Sequence, residues 1–263
     1  MKTTTRILKY ELHNVVRSRA VLVYTAFLFL LTDVLFRFGG DGARVVISLL
    51  NVVLLLVPLV SVVFGTMYVY SAREFTELLL AQPVGRRSLF AGLYLGLALP
   101  LAGAFLVGVG LPFVVHAKAE AALWGPLAML LMAGLLLTFV FTALAMLLAM
   151  LFDDRAKGLG GAILIWLACA VLYDGVILLL ITMFREYPLE RPVLALTLLN
   201  PIDLGRVLLL LQFDTAALMG YTGAVFEKFF GTSFGRVTVL GVLLVQATVP
   251  LLLANRVFRR KDF

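Results

Sequence analysis

Cysteine occurs once in these 263 residues, histidine twice, and charged residues make up only 14% of the chain. The lone thiol, Cys169, sits inside an apolar run. It excludes an intrachain disulfide and a thiolate metal cluster, and reads as a small buried hydrophobe. His13 and His116 fall at or outside the ends of apolar segments, so no imidazole pair is placed to hold a metal. The chain also lacks a phosphate-cradling Gly-x-x-x-x-Gly-Lys-Ser/Thr loop, a His-Glu-x-x-His pair and a Gly-x-Ser-x-Gly elbow. No catalytic or metal residue is assigned, and no cofactor is expected on this chain. Whatever work the protein does must draw its energy from a partner.

What the chain has in excess is apolar surface. Hydrophobic residues make up 62%, against roughly 45–50% in soluble domains, which carry about 25% charged residues. A spanning helix needs about 20 predominantly apolar residues. Six segments meet this: Ala20–Phe38, Val45–Tyr70, Leu89–Val115, Leu123–Phe152, Leu159–Phe184 and Val237–Ala254. Backbone groups in lipid must pair within each segment, which helices achieve, and no alternating pattern argues for a barrel. The expected fold is an all-α membrane protein with six transmembrane helices, one transmembrane domain over 1–263 with no room for a separate soluble one.

The formal net charge of +7 would suggest nucleic acid in a soluble protein. Here it reads as basic residues retaining loops in the cytoplasm, and no nucleic-acid partner is expected. Lys2, Arg6, Lys9, Arg17 and Arg19 precede the first span, and Arg73, Arg86 and Arg87 follow the second. Arg155 and Lys157 follow the fourth; Arg256, Arg259, Arg260 and Lys261 follow the sixth. The other side has Arg44 and Lys118 on short loops, and a long segment, 185–236, with acids and bases in equal number. Both termini are therefore expected in the cytoplasm. The first 19 residues are basic and amphipathic, and the apolar run after them shows no clear small-residue cleavage site, so no cleavable signal is expected.

Three pieces outside the spans carry information. Ile7, Leu8, Glu11, Leu12 and Val15 recur at near-helical spacing, with Arg6, Lys9, His13 and Arg17 mostly elsewhere. This predicts a basic amphipathic helix over 1–19 on the inner membrane surface, serving as a topology anchor or also touching a cytoplasmic partner. The stretch Arg73–Arg87 predicts a second helix, with Phe75, Leu78 and Leu79 on one face and Arg73, Glu74 and Glu77 toward the other. Pro83 ends it by holding Gln82 away from helical angles, and Gly85 allows the turn. Arg86 and Arg87 then reach the membrane edge. A plain connection needs only a few residues; this one is a short charged element that a partner can grip. In the outer segment, Pro188 and Pro192 predict extended chain, and Asn200-Pro-Ile-Asp203 predicts a helix start. Leu204, Val207, Leu208 and Leu211 form an apolar stripe, followed by an amphipathic stretch over Ala216–Phe230. These either pack on lipid and the bundle or present Asn200, Pro201, Asp203 and Arg206 to an extracytoplasmic partner.

Two features lie within the spans. Asp174 is an acid inside the fifth, where ionisable groups are expensive and face protein. Tyr173 is adjacent, and Thr138 and Thr142 of the fourth span offer hydroxyls; the group is a gate, a polar lock or a structural hydrogen bond. Asp33 and Arg37 are four residues apart and read as a pair near the interface. Met129, Met132, Met146 and Met150 share a face of the fourth span. Such thioethers suit copper(I), but they are also ordinary packing.

Taken in order, Arg73-Glu-Phe-Thr-Glu77, Gln82-Pro-Val-Gly-Arg86, Leu172-Tyr-Asp174, Asn200-Pro-Ile-Asp-Leu-Gly-Arg206 and the Phe258-Arg-Arg-Lys tail resemble the membrane subunits of ABC-2 type ABC transporters. Within these they resemble the NosY-type permeases that serve copper processing in nitrous oxide reductase maturation. The resemblance implies a type V exporter-like transmembrane domain in the bacterial inner membrane. It implies a homodimer bound to two ABC ATPase subunits, which hold ATP and Mg, with Arg73, Glu74, Glu77, Gln82, Pro83, Arg86 and Arg87 as the coupling element. It also implies a periplasmic β-helical partner of the NosD kind. Three functions then stand side by side: transmission of ATP-driven motion to a copper-handling partner, export of a lipid, polysaccharide or drug, and membrane anchoring of an assembly without transport.

Overall fold

Long apolar runs with scattered glycine give helices wherever lipid would otherwise meet bare backbone. In the computed structural model the described residues, 10–39, 42–81, 85–116, 123–184, 190–210 and 233–260, contain helix and no strand. The helices are α1 (10–16), α2 (Arg19–Phe38), α3 (Gly42–Ser71), α4 (Arg73–Leu80), α5 (Arg86–Phe105), α6 (Leu111–His116), α7 (Trp124–Leu151), α8 (Arg155–Leu167), α9 (Tyr173–Met183), α10 (Glu190–Thr197), α11 (Pro201–Leu210) and α12 (Ser233–Arg260). Among the described residues, six stretches are long and apolar enough to cross a membrane: Arg19–Phe38, Arg44–Ser71, Arg86–His116, Trp124–Leu151, Arg155–Met183 and Val237–Arg260. They match the six read from sequence, most extended by a few residues at their charged ends.

The α7 helix is the axis of the bundle. It packs on α3, α12, α5 and α11, and its Leu130, Leu137, Phe141 and Ala145 are fully buried. Thr138 and Thr142 donate back to the carbonyls of Gly134 and Thr138, so both hydroxyls are used inside α7 and neither serves Asp174. The methionines share one face of the continuous α7 helix but not one environment. Met146 and Met150 join the packing with α5 and α12, whereas Met132 is exposed.

Two spans are interrupted by a wider turn. Leu106–Gly110 joins α5 to α6, and Ala168–Leu172 joins α8 to α9, each as a π-helical segment. Such turns shift the register of the following residues and favour functional positions. Pro192 departs from expectation. It lies within the first turn of α10 rather than in extended chain, because a proline there forfeits no intrahelical hydrogen bond.

Capping explains several boundaries. Ser18 accepts from the Val21 amide and starts α2. Asp154 accepts from the amides of Ala156 and Lys157 and starts α8. Asn200 accepts from the Ile202 amide at 3.1 Å and starts α11, as the Asn-Pro-Ile-Asp pattern predicts. Asp33 and Arg37 pair at 2.7 Å near the end of α2, and His116 reaches the same carboxylate at 3.5 Å.

Candidate functional site

Two groups of polar side chains stand out: a charged junction around α4 and a polar cluster where α9 meets α11.

At the junction, α4 is fastened on several sides. Arg73 donates to the Asp153 carboxylate at 3.0 Å and to the Asp153 carbonyl at 3.2 Å. The Tyr70 ring lies 5.8 Å beneath the Arg73 guanidinium, and its hydroxyl donates to the carbonyls of Phe152 and Asp154. Gly158 makes this approach possible, since a Cβ there would meet the Tyr70 hydroxyl at 2.1 Å. The start of α4 is thus tied to the α7–α8 turn. Phe75 stacks on Tyr10 of α1 with ring centroids 5.2 Å apart, which ties α4 to the N-terminal helix as well.

The outward face of α4 is not the one its apolar spacing suggests. Thr76 is buried and donates to the Ala72 carbonyl, and Leu79 and Leu80 pack inward against the α5–α12 cluster. Leu78 is 69% exposed, on the same face as exposed Glu74 and Glu77. The rotation follows from the Arg73 and Phe75 anchors, which fix α4 about its axis. The face left free is acidic with one leucine at its centre. Gln82 and Pro83 lie outside the described residues. Arg86 donates to the Arg259 carbonyl at 3.0 Å, joining the start of α5 to the end of α12, and Arg87 is exposed nearby.

The α1 helix reaches deeper than a surface anchor. Val15 is fully buried and Glu11 is only 1% exposed. The Tyr68 hydroxyl donates to Glu11, and Gly96 of α5 leaves space for the Glu11 side chain, whose Cβ a substituent would meet at 2.4 Å. Burial pushes the Glu11 carboxyl from its ordinary 4.5 up to about 7. The sequence placed Glu11 on the apolar face of the N-terminal helix, but nothing in it pointed to Tyr68 or Gly96.

The second cluster joins four residues that the sequence had assigned to two different places. Arg206 Nη1 donates to Asp174 Oδ2 at 2.8 Å and to Asp203 Oδ1 at 3.1 Å. Asn200 Nδ2 donates to Asp203 Oδ2 at 2.9 Å and to the Cys169 carbonyl at 2.8 Å, within the π turn that precedes α9. Asn200, Pro201 and Asp203 are buried among this chain's own helices, not on an outer surface. The apolar stripe Leu204, Val207 and Leu208 packs against Val239 and Leu243 of α12. The α10–α11 turn is held by the Tyr173 hydroxyl, which donates to the Leu196 carbonyl at 2.6 Å, and by Gln246, whose amide donates to the Leu198 carbonyl at 2.9 Å. Leu211 and the stretch Ala216–Phe230 lie outside the described residues. Two carboxylates share one guanidinium, so the group holds excess negative charge unless a proton resides on it.

A six-span bundle, a charged helix between the second and third spans, and a polar helix hairpin before the last span define a polytopic membrane protein. The match to the model of the ABC-2 family transporter proteins over residues 5–263 is complete enough that the chain belongs to this family. It is similar to a protein of Pseudomonas aeruginosa named "Probable ABC transporter permease protein NosY", with 29% identity over 97% of each chain. It is also similar to a protein of the same name from Stutzerimonas stutzeri, with 26% identity over 81% of this chain and 79% of that one.

Proposed function

We propose that this protein is the membrane-spanning half of an ABC transporter in the bacterial inner membrane, with both termini and α4 in the cytoplasm. Hydrolysis of ATP occurs on two separate ATPase subunits. Its motion enters at α4 and leaves on the outer side toward a β-helical partner of the NosD kind, in copper-site maturation of nitrous oxide reductase. The permease family and the NosY-named relatives support this reading.

The observation that carries it is the free face of α4. Glu74, Glu77 and Leu78 point away from the bundle, while Arg73, Tyr70 and Phe75 bind the same helix to α3, α1 and the α7–α8 turn. A push on α4 therefore reaches four elements of the bundle. The carboxylates suit basic groups on an ATPase, and Leu78 supplies an apolar contact between them. Reversing both charges, Glu74→Lys with Glu77→Lys, is expected to leave the complex assembled while separating ATP hydrolysis from transport or signalling. Full coupled activity of the reconstituted double variant would overturn the assignment.

The protein works as a homodimer in this reading. The fifth span, Arg155–Met183, is the least covered by the rest of the chain. Its Asp174 side chain is 42% exposed and its partner Arg206 32% exposed. A charged pair open to lipid is expensive; a second copy of the chain covering this face removes that cost. Mass measurement in lipid nanodiscs is expected to give a dimer, and a monomer as the sole species would refute it.

A further inference from the structure

At the α4 end of the bundle, the start of α5 and the end of α12 enclose an open cleft of about 730 Å³ lined by Arg87, Arg256, Arg259, Arg260, Asn255 and Leu252. Its size falls within the range of small-molecule sites, about 300–1,000 Å³. All four guanidinium side chains are exposed, and none of them pairs with a carboxylate among the described residues. The helices are held together at this point by the Arg86 bond to the Arg259 carbonyl and by the Phe90–Phe258 ring contact at 5.6 Å.

Like charges gathered with no carboxylate paired to them among the described residues are stabilised when something anionic joins them. The neighbouring atoms say what that something is. Leu252 is one turn further into the span and 66% exposed, about 6 Å along the axis from Arg256. Cations at a helix end with bare leucine immediately inside it match a molecule that is phosphate at its head and hydrocarbon below.

We propose that this cleft binds an anionic phosphodiester lipid headgroup from the leaflet on the α4 side. The arginines hold the phosphate, and an acyl chain lies along Leu252. The site goes beyond the coupling reading and does not depend on it, because it needs only that α5 and α12 cross the membrane.

The test is binding to the purified chain without any ATPase, followed by native mass spectrometry. Phosphatidylglycerol is expected to be retained in preference to phosphatidylcholine, and inorganic phosphate at matched concentration is expected not to displace it. Displacement by phosphate would overturn the lipid as the source. Replacing Arg87 and Arg256 together by Gln is expected to weaken phosphatidylglycerol by about 30-fold, from the electrostatic contribution of two arginines at a membrane surface. Helical content measured alongside confirms that the variant is folded. Equal retention by wild type and the double variant overturns the proposal. So does a double variant that keeps its lipid but loses ATPase subunits on co-purification, which would make the arginines a protein-docking surface.

Discussion

The two polar regions of this molecule use similar residues with differently exposed acids. At the α4 junction, a partly exposed Arg73 meets an Asp153 that is mostly open to solvent. In the cluster between α9 and α11, Arg206 meets Asp174 and a nearly buried Asp203 among helices of apolar composition. An exposed pair contributes little to stability, about 0–1 kcal/mol, and serves mainly to set geometry. A charge held away from water must keep its partners, because removing one leaves the other uncompensated. The junction can therefore rearrange at small cost, while the cluster resists it. That division suits a machine in which one region receives a push and another holds the far half of the bundle in shape.

The comparison can be broken most severely at the cluster. Arg206→Leu leaves Asp174 and Asp203 facing each other without a cation and is expected to destabilise the protein by about 3–5 kcal/mol. Thermal unfolding in detergent reads this directly, and adding Asp174→Asn should recover part of the loss. An Arg206→Leu protein as stable as wild type would show that the cluster is not the rigid region.

A smaller effect is expected at α1. Glu11 holds its proton when docked more readily than when released, since burial raises it to about 7. A carboxyl raised in the folded state contributes stability that is fully present below its ordinary value near 4.5 and lost as pH rises through the folded value. Docking of α1 should thus loosen between about pH 4.5 and 7. Hydrogen exchange over residues 10–16, corrected for intrinsic rates, is expected to be faster at pH 8 than at pH 5. Glu11→Gln, which keeps the bond from Tyr68 without a titrating group, should remove the difference. A pH response that survives in Glu11→Gln would place its origin elsewhere.

The smallest change in stability is expected for Arg73→Ala, under about 1 kcal/mol. Its thermal midpoint should stay close to wild type while coupling of ATP hydrolysis falls in the assembled complex. A large loss of stability would mean that the junction is structural in the same sense as the cluster.

Much of this architecture was legible in the residues themselves. The six spans followed from apolar run length, α4 from its spacing and α11 from Asn200 and Pro201, because each depends on neighbours along the chain. The pairing of Asp174 with Arg206 did not follow, since 32 residues and a helix hairpin separate them. Along the chain each stands as a separate charge, Asp174 inside a span as a gate, a polar lock or a structural hydrogen bond, and Arg206 in the outer segment as a docking group. Only the fold shows that they answer each other. The face of α4 was misjudged for a related reason: Leu78 fits the apolar period, but the anchors that rotate it outward belong to α1 and the α7–α8 turn. The tight fit of Glu11 at Gly96 left no trace beyond a carboxylate on an apolar face.

The π turn at Ala168–Leu172 acts as a one-residue vernier in the fifth span. A regular helix advances about 100° per residue, so the extra residue resets the compass bearing of everything beyond it. Trp166, before the turn, is indexed to Leu55 of α3; Tyr173 and Asp174, after it, are indexed to α10 and α11. Removing a single residue from the turn would restore a continuous helix, yet it would swing Asp174 away from Arg206. The length of this span is therefore fixed to the residue by alignment with its neighbours, a stricter demand than the thickness of any bilayer.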